Sequence, residues 1–499
     1  MLTLLLSSLG VLLVGLVASV HPSRPTSFQV IEQLTSVPDG WTQGPAPDKT
    51  ALLRFNLAVH AEKEAIFHQR VVNISTPGHP LYGSHMKRDE AKDFLRPRSE
   101  VSAQLLFWLT SGGLSCDKIK VDGAWISFDA TYSVPVFVAF HVRMIQPTTR
   151  FARLPLQGST LFRVTAPSIE RETEKGEVNR NEQITPSYLR TLYKIPYSKE
   201  PQYASSKVGV SEYLERYTHY TDLQLFLSAY VPEAPEANFS VKSINGGLNV
   251  QDSSAGSMEA NLAIQPSTEL QRTISGAATL LLNLADEDLS DVLTPSYGEN
   301  EQSVPTRYAE VACSLFEELG ARGVSGILSS SDSGVGSSCK SNDGTNRIAF
   351  TPIFPGACPF VTSVGATEGI NPEIAVAFSS GGFSERFDRP SYQEKAVQAY
   401  LNRLGNRWDG LYNPAGRDYP GVAAQGVSYP VFDNGELIIV DGTSASTPTV
   451  AAVISHLNVL RLSQHNPVLS FLNPGFIALA SKGSRISWTE VPPAAPARK

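Results

Sequence analysis

From Ile184 onward, short apolar runs alternate with stretches that repeat at helical period. The strand candidates are Asp291–Tyr297, Val324–Leu328, Pro359–Val364, Ile374–Phe378 and Leu437–Val440. The segment after Pro305 puts Ala309, Ala312, Leu315, Phe316 and Leu319 on one helical face, and Gly320 reads as the residue that ends that helix. A chain built this way buries both faces of its strands by laying them parallel, with helices above and below. In such sheets, functional groups collect at the carboxyl ends of the strands. The pattern therefore says where a site must lie before any motif is read.

The chain has 499 residues, enough for several domains. Residues 2–18 carry no charge and are mostly Leu, Val and Gly, with small residues following at Ala18 and Ser19. Residues 1–20 read as a signal peptide, a little short for a bilayer span. Residues 21–169 form a first unit. Helical-period patches at Ala51–Val71, Asp89–Leu95 and Val101–Leu109 accompany strand-like runs at Ala124–Phe128 and Val134–Met144, a mixture that predicts a small α+β domain. Residues 170–183 are charged and nearly free of apolar side chains, so they read as an exposed linker where processing can cut. Residues 184–499 are the second unit.

The net charge of −7 argues against a nucleic-acid partner, which would call for a basic face. No later stretch is apolar and long enough to span, so no membrane partner is expected once the leader is removed. Export permits disulfides among Cys116, Cys313, Cys339 and Cys358, with three pairings open. No Cys or His spacing fits a zinc site. Asn73 and Asn238 begin Asn-x-Ser triplets and are glycosylation candidates.

The strongest chemical signal is Gly442-Thr-Ser-Ala-Ser-Thr-Pro448. The Leu437–Val440 strand runs into it, and a helix with Val450, Val453, Ile454, Leu457 and Leu460 on one face runs out. Ser444 thus sits at a strand-to-helix turn, where helix amides favour developing negative charge. A bare Gly-Thr-Ser also suits an ordinary helix cap; the seven-residue string is more specific. A histidine base is not expected. Beyond residue 184 only His219 precedes Ser444, and the stretch Glu212–Tyr220 around it reads as an amphipathic helix surface.

The string resembles the nucleophile motif of the sedolisins, or serine-carboxyl peptidases, and other segments carry the likeness through most of the chain. Tyr82-Gly-Ser-His-Met86, Glu90-Ala-Lys92, Asp122-Gly-Ala-Trp-Ile-Ser127 and Ile145-Gln-Pro-Thr-Thr-Arg-Phe151 are similar to the family's pro-domain. Ile184-Thr-Pro-Ser-Tyr-Leu-Arg-Thr-Leu-Tyr193, Ser329-Ser-Ser-Asp-Ser-Gly334 and Asn413-Pro-Ala-Gly-Arg417 are similar to its catalytic domain. The fungal secreted tripeptidyl-peptidases are the members it resembles in particular. The resemblance implies a subtilisin-like parallel sheet flanked by helices, preceded by a small α+β pro-domain. It implies a secreted, extracellular acid serine peptidase, made as a proenzyme, that releases tripeptides from peptide N-termini. Its partners would be peptide or protein substrates and its own pro-domain as intramolecular inhibitor. Residue by residue, Ser444 matches the nucleophile, Glu259 the general base and Asp332 the oxyanion acid. A Glu of ordinary pKa, about 4.3, is still a base in acid where His is protonated. The oxyanion Asp must hold a proton in order to donate one.

The chain departs from the family pattern in several places. The Asp expected one helical turn after Glu259 is Ala263, and the segment Gln265–Gly276 is short. Gly421 replaces an acid in Pro420-Gly-Val-Ala423, and the pro-domain is abbreviated around Ala130–Tyr132. The resemblance implies calcium as cofactor, but the tail Ser481–Lys499 does not match the segment that carries its ligands, so no metal ligands are assigned. The same segment would supply a disulfide partner for Cys339. Two alternatives stand beside the peptidase reading: a catalytically impaired binding protein on the sedolisin fold, and a defective or mis-spliced reading of an active enzyme.

Overall fold

The computed structural model describes residues 50–131, 141–147, 183–195, 206–213, 216–243, 247–252, 258–268, 273–276, 289–370 and 372–480, together with 42, 44, 45, 48, 162 and 163. The expected leader at 1–20, the tail 481–499 and all of the expected linker except Gln183 lie outside the described residues.

The first unit is an antiparallel sheet of order β2-β3-β1-β4, built from β1 (Leu52–Val59), β2 (Ile119–Asp122), β3 (Trp125–Thr131) and β4 (Val142–Gln146). Helices α1 (Glu64–Ser75), α2 (Arg88–Phe94) and α3 (Ser99–Ser111) accompany it. The patch Ala51–Val71 is not one helix, as its period suggests, but a strand followed by a helix. Phe55, Leu57 and Val59 alternate into a core shared with Ile126 and Phe128 of β3 and with Val101, Leu105 and Leu109 of α3. Pairing with β3 on one side and β4 on the other outweighs a loose helical period. The run Val134–Met144 is described only from His141, and β4 occupies its end.

The second unit contains β5 (Phe162–Arg163), α4 (Pro186–Tyr193), β6 (Val208–Ser211), α5 (Tyr220–Tyr230), β7 (Asn238–Val241), α6 (Met258–Thr268), β8 (Thr273–Gly276) and β9 (Val292–Pro295). There follow β10 (Glu299–Asn300), α7 (Thr306–Ala321), β11 (Ser325–Ser329), β12 (Ile353–Phe354), β13 (Thr362–Glu368), β14 (Ile374–Ala375), β15 (Gly382–Asp388) and α8 (Glu394–Leu404). The chain continues through β16 (Gly416–Tyr419), β17 (Val422–Gln425), β18 (Tyr429–Asp433), β19 (Glu436–Val440), α9 (Thr443–Ser463) and α10 (Asn473–Ala480). The main sheet has eight strands, ordered β14-β13-β11-β9-β6-β8-β7 with β17 beside β13. All its pairings are parallel except β13 with β14. The expected parallel sheet flanked by helices is present.

Val208, Val210, Val292, Ile327 and Val364 of the sheet pack with Leu223, Phe226 and Leu227 of α5, Ala263 and Ile264 of α6, and Ala451 and Ile454 of α9. Each large aliphatic side chain buried there contributes about 1.5–3 kcal/mol. Three sequence readings are corrected. Gly320 lies inside α7, with its Cα facing Phe471, and Gly323, at φ +92°, ends the helix instead. Leu457 is exposed, and α9 turns Ala451, Ala452, Ile454, Ser455 and Asn458 inward. The α9 face is set by close contact with the sheet and α6, which favours small residues over large ones. Pro359–Val361 precedes β13, which begins at Thr362.

One disulfide, Cys313–Cys358, forms, joining α7 to the turn before β13, so none of the three complete pairings is realised; Cys116 is exposed and Cys339 partly buried, both as free thiols. Among the described residues no helix is long and apolar enough to cross a membrane.

The first unit docks on α7. Phe67, Val71 and Met86 share a cluster with Ala321 and Phe471, and the Met86 amide donates to the Ala321 carbonyl at 2.8 Å. Arg307 Nη1 donates to the Val142 carbonyl, Arg143 Nη2 donates to Ser314 Oγ, and His68 Nδ1 lies 3.3 Å from Glu317 Oε1.

Candidate active site

β11 ends at Ser329, and the chain turns at once. Ser331 takes φ +87°, a left-handed backbone that a residue with a Cβ adopts only at a cost. The turn is held on both sides: Ser330 N donates to the Val364 carbonyl, Ser380 N to the Ser331 carbonyl, and Ser333 N to Ser380 Oγ. Asp332 is thereby fixed at the carboxyl edge of the sheet. Its Oδ1 accepts from Thr443 N at 2.7 Å and from Thr443 Oγ1 at 2.8 Å. Its Oδ2 is buried and unpaired. A Cβ on Gly442 would stand 3.0 Å from that oxygen, which is why this position needs glycine.

Ser444 lies in the first turn of α9 with no exposed surface. The strand leading into that turn, β19, is not part of the main sheet. It pairs antiparallel with β18 as a hairpin. Buried polar side chains of α6 hold this hairpin. Gln265 Nε2 donates to the Phe432 carbonyl, and the Phe432 amide donates back to Gln265 Oε1. Asn261 Nδ2 donates to Asp222 Oδ2 and to Asp433 Oδ1. Asp222 in turn accepts from the amides of Asn434 and Gly435 in the hairpin turn. Sequence reasoning passed over Asn261 and Gln265. The signal was there: two amides four apart on a helix that otherwise buries apolar residues.

Glu259 occupies the first turn of α6 and is buried. The structure brings it together with Ser444 and Asp332. Ser444 and the charges of Asp332 and Arg216 all bear on its titration, although neither its oxygens nor Ser444 Oγ makes a hydrogen bond of regular geometry. Burial pushes Glu259 up to about 8, against the pull of Ser444 and Arg216. Burial likewise pushes Asp332 up to about 7, against its two bonds from Thr443. The ordinary carboxyl pKa expected for Glu259 is thus corrected, because the sequence did not reveal how dry the site is.

Other expected positions fall elsewhere. Ala263 is in the apolar core, not the site. His219 is buried at the start of α5, with Nδ1 3.3 Å from Asp222 Oδ2, and is not the surface residue expected. Asn73 is partly buried in α1 and its Oδ1 accepts from Gln69 Nε2, whereas Asn238 is exposed at the start of β7. Among the described residues no group of His, Cys, Asp or Glu side chains fits the calcium that the resemblance implies, and no step below runs through a metal.

The pro-kumamolisin activation domain family matches residues 39–133. Tripeptidyl-peptidase SED3 of Arthroderma otae is 41% identical over 542 aligned residues, covering 95% of this chain and 90% of its own. Probable tripeptidyl-peptidase SED3 of Arthroderma benhamiae is 43% identical, covering 92% of this chain and 89% of its own. A solved structure, Pseudomonas sedolisin complexed with pseudo-iodotyrostatin, aligns at 19% identity with a TM-score of 0.46, covering 60% of this chain and 86% of its own. An activation domain docked on a helix-flanked parallel sheet defines, together with these relatives, a proenzyme of the serine-carboxyl peptidase class. The chain belongs to the sedolisin family, alongside the fungal tripeptidyl-peptidases. The binding-protein and defective-reading alternatives gain no support from these relatives.

Proposed function

We propose that the chain is a secreted proenzyme that releases tripeptides from the N-termini of peptides, with Ser444 as nucleophile, Glu259 as general base and Asp332 as oxyanion acid. The observation that carries this reading is that Ser444 and Asp332 both act on the buried Glu259, with Ser444 Oγ, the two Glu259 oxygens and Asp332 Oδ2 all lacking regular partners. Buried polar atoms ordinarily have partners, and a cluster of them in one place suits a site where water or a reacting group is held.

In the first step Ser444 Oγ bonds to the scissile carbonyl carbon while its proton passes to Glu259. The carbonyl electron pair moves onto oxygen, and the oxyanion accepts a hydrogen bond from the proton on Asp332 Oδ2. Thr443 occupies Oδ1 with two donors, which leaves Oδ2 as the oxygen that holds the proton. The oxyanion pair then re-forms the carbonyl and the C–N bond breaks. Glu259 gives its proton to the leaving amine. Water attacks the acyl-serine by the reverse roles, with Glu259 taking a proton from water and returning one to Ser444.

The uncharged apolar stretch at residues 2–18, proposed as a leader, suits export, as do the sequons at Asn73 and Asn238, Asn238 better because it is exposed. The unit at 21–169 is proposed as intramolecular inhibitor, cut from the catalytic unit 184–499 within 170–183. Its grip on α7 supports that role. Tripeptide release from an unblocked peptide, followed from pH 4 to 8 and compared with Ser444→Ala, tests the reading. Release by the unmutated chain alone is the expected result. Equal rates from both would overturn it.

A further inference from the structure

The hairpin that leads into Ser444 carries a third strand. β5 lies antiparallel on the outer edge of β19, with Arg163 opposite Ile439 and Phe162 opposite Val440. Which backbone groups of β19 face β5 follows from β18. In an antiparallel pair, residues alternate in the side to which they turn both N–H and C=O. Phe432 gives both of its groups to Gln265 of α6, so it turns away from β19. Pro430, two residues earlier, has the same sense and no N–H to give. Their partners across the hairpin, Leu437 and Ile439, therefore turn their own N–H and C=O outward, to the side that β5 occupies. Arg163 closes the ladder at Ile439.

β5 precedes residues 170–183 in the chain, so a cut there leaves it with the activation unit. Departure of that unit bares the outward N–H and C=O of Ile439, and an unpaired strand edge is a template for another extended chain. We propose that this edge of β19 receives the substrate: in the processed chain, the part of the peptide beyond the scissile bond adds to β19 as a strand, in the place β5 held. The inference rests on Ser444 as nucleophile. Polarity argues for this occupant. β19 runs toward Ser444, and Val440 lies four positions before it, at most about 14 Å of extended chain. A peptide seated antiparallel, as β5 is, has its N-terminal end beside Val440 and runs back toward Glu436. That is the direction needed by a site that takes three residues before the cut and a long chain after it. Main-chain pairing reads no side chains, so the edge suits any peptide that can lie extended.

The test has two arms. The first compares a tripeptide joined only to a chromophore with the same tripeptide followed by a long extended tail, both given to the processed chain. KM for the tailed substrate is expected to be about tenfold lower. N-methylation of the tail, one residue at a time, should cancel that gain at alternate positions, because alternate amides point at β19. The second arm needs no catalysis. In the full chain, Arg163→Pro removes the β5 donor opposite Ile439, and a labelled peptide of residues 158–167 is titrated by fluorescence anisotropy. It should bind this variant about tenfold more tightly than the unmutated chain, whose edge is filled, and about tenfold more tightly than its copy N-methylated at Arg163. Thermal melting checks the fold; if Arg163→Pro does not melt cooperatively, Phe162→Gly with Arg163→Gly weakens the same strand. Equal KM for the two substrates, or N-methyl effects without alternation, would overturn the substrate as occupant. Dimerisation of the processed chain alongside equal KM values would give the edge to a second copy instead. Equal binding of the plain and N-methylated peptides would overturn the edge as a strand site. A processed chain that releases no tripeptides sinks the peptidase reading, and the binding arm still decides whether β19 takes a strand.

Discussion

Thr443 gives Asp332 Oδ1 two hydrogen bonds, from its amide and from its hydroxyl, and so leaves the other carboxyl oxygen, Oδ2, buried without a regular partner. One residue of the Gly-Thr-Ser string thereby orients a side chain 111 positions earlier, while the next supplies Ser444.

Asp332 must be protonated to donate. Its value of about 7 sets the pH above which the donor is lost; because Glu259 must ionise at about 8, kcat should peak between the two values, with its alkaline fall only above them. Asp332→Asn replaces the carboxyl with a permanent N–H donor. We expect a reduced rate whose alkaline limb is missing, while Asp332→Ala loses about 100- to 1,000-fold in kcat at all pH. An unchanged alkaline limb in Asp332→Asn would assign that limb to another group.

Glu259 must be ionised to act, and burial raises it. The acid limb of the rate should therefore lie above the ordinary carboxyl range, with the maximum displaced toward neutrality rather than near pH 4. Stepwise measurement of kcat against pH checks this.

The same burial costs stability. A carboxyl whose folded-state pKa is raised is compatible with the fold below its unfolded pKa and destabilises it progressively as pH rises toward the folded value. For Glu259 that window runs from 4.5 to about 8, and for Asp332 from 3.8 to about 7. Glu259→Gln is expected to abolish activity and raise Tm at pH 7, with little change at pH 4. Calorimetry at the two pH values decides it. A lower Tm at pH 7 would mean that the ionised Glu259 is stabilised by contacts stronger than its desolvation.

Ala263→Asp puts a carboxylate into an apolar cluster at a position only 2% exposed. The expected loss is about 2–4 kcal/mol at pH 7, shrinking in acid as the new group takes a proton. Family-level activity should not return with that one change, since the short Gln265–Gly276 segment remains. Denaturant unfolding at pH 4 and 7, alongside the peptide assay, measures both parts.

Cys313 and Cys358 close a loop with a sequence separation of 45 residues. Replacing both with Ala should cost about 3–4 kcal/mol, chiefly through the freer unfolded chain. Cys339→Ser, by contrast, breaks no cross-link, and its melting curve should stay close to that of the unmutated chain.

Local chemistry made much of this protein legible. The strand and helix alternation after Ile184 specified a parallel sheet, because only that arrangement covers both faces of such strands. The seven-residue string around Ser444 placed a hydroxyl at a helix start, and the alternation placed Asp332 at a strand end. These readings needed only neighbours along the chain. The strand in Ala51–Val71 was misread, since its pairing partners lie on segments more than 60 residues away. The α9 face was misread too, because it is chosen by what packs against it.

Everything that depends on residues distant in sequence was decided by the tertiary structure. Sequence reasoning set His219 on a surface, but the hairpin turn and Asn261 enclose it with Asp222. It gave Glu259 an ordinary acidity, but desolvation by the surrounding core raises it. The juxtaposition of β6 and β9 brings Glu212 and Tyr297 into hydrogen-bond contact from segments 85 positions apart. Burial and electrostatics depend on distance in space, and that distance exists only once the sheet has assembled.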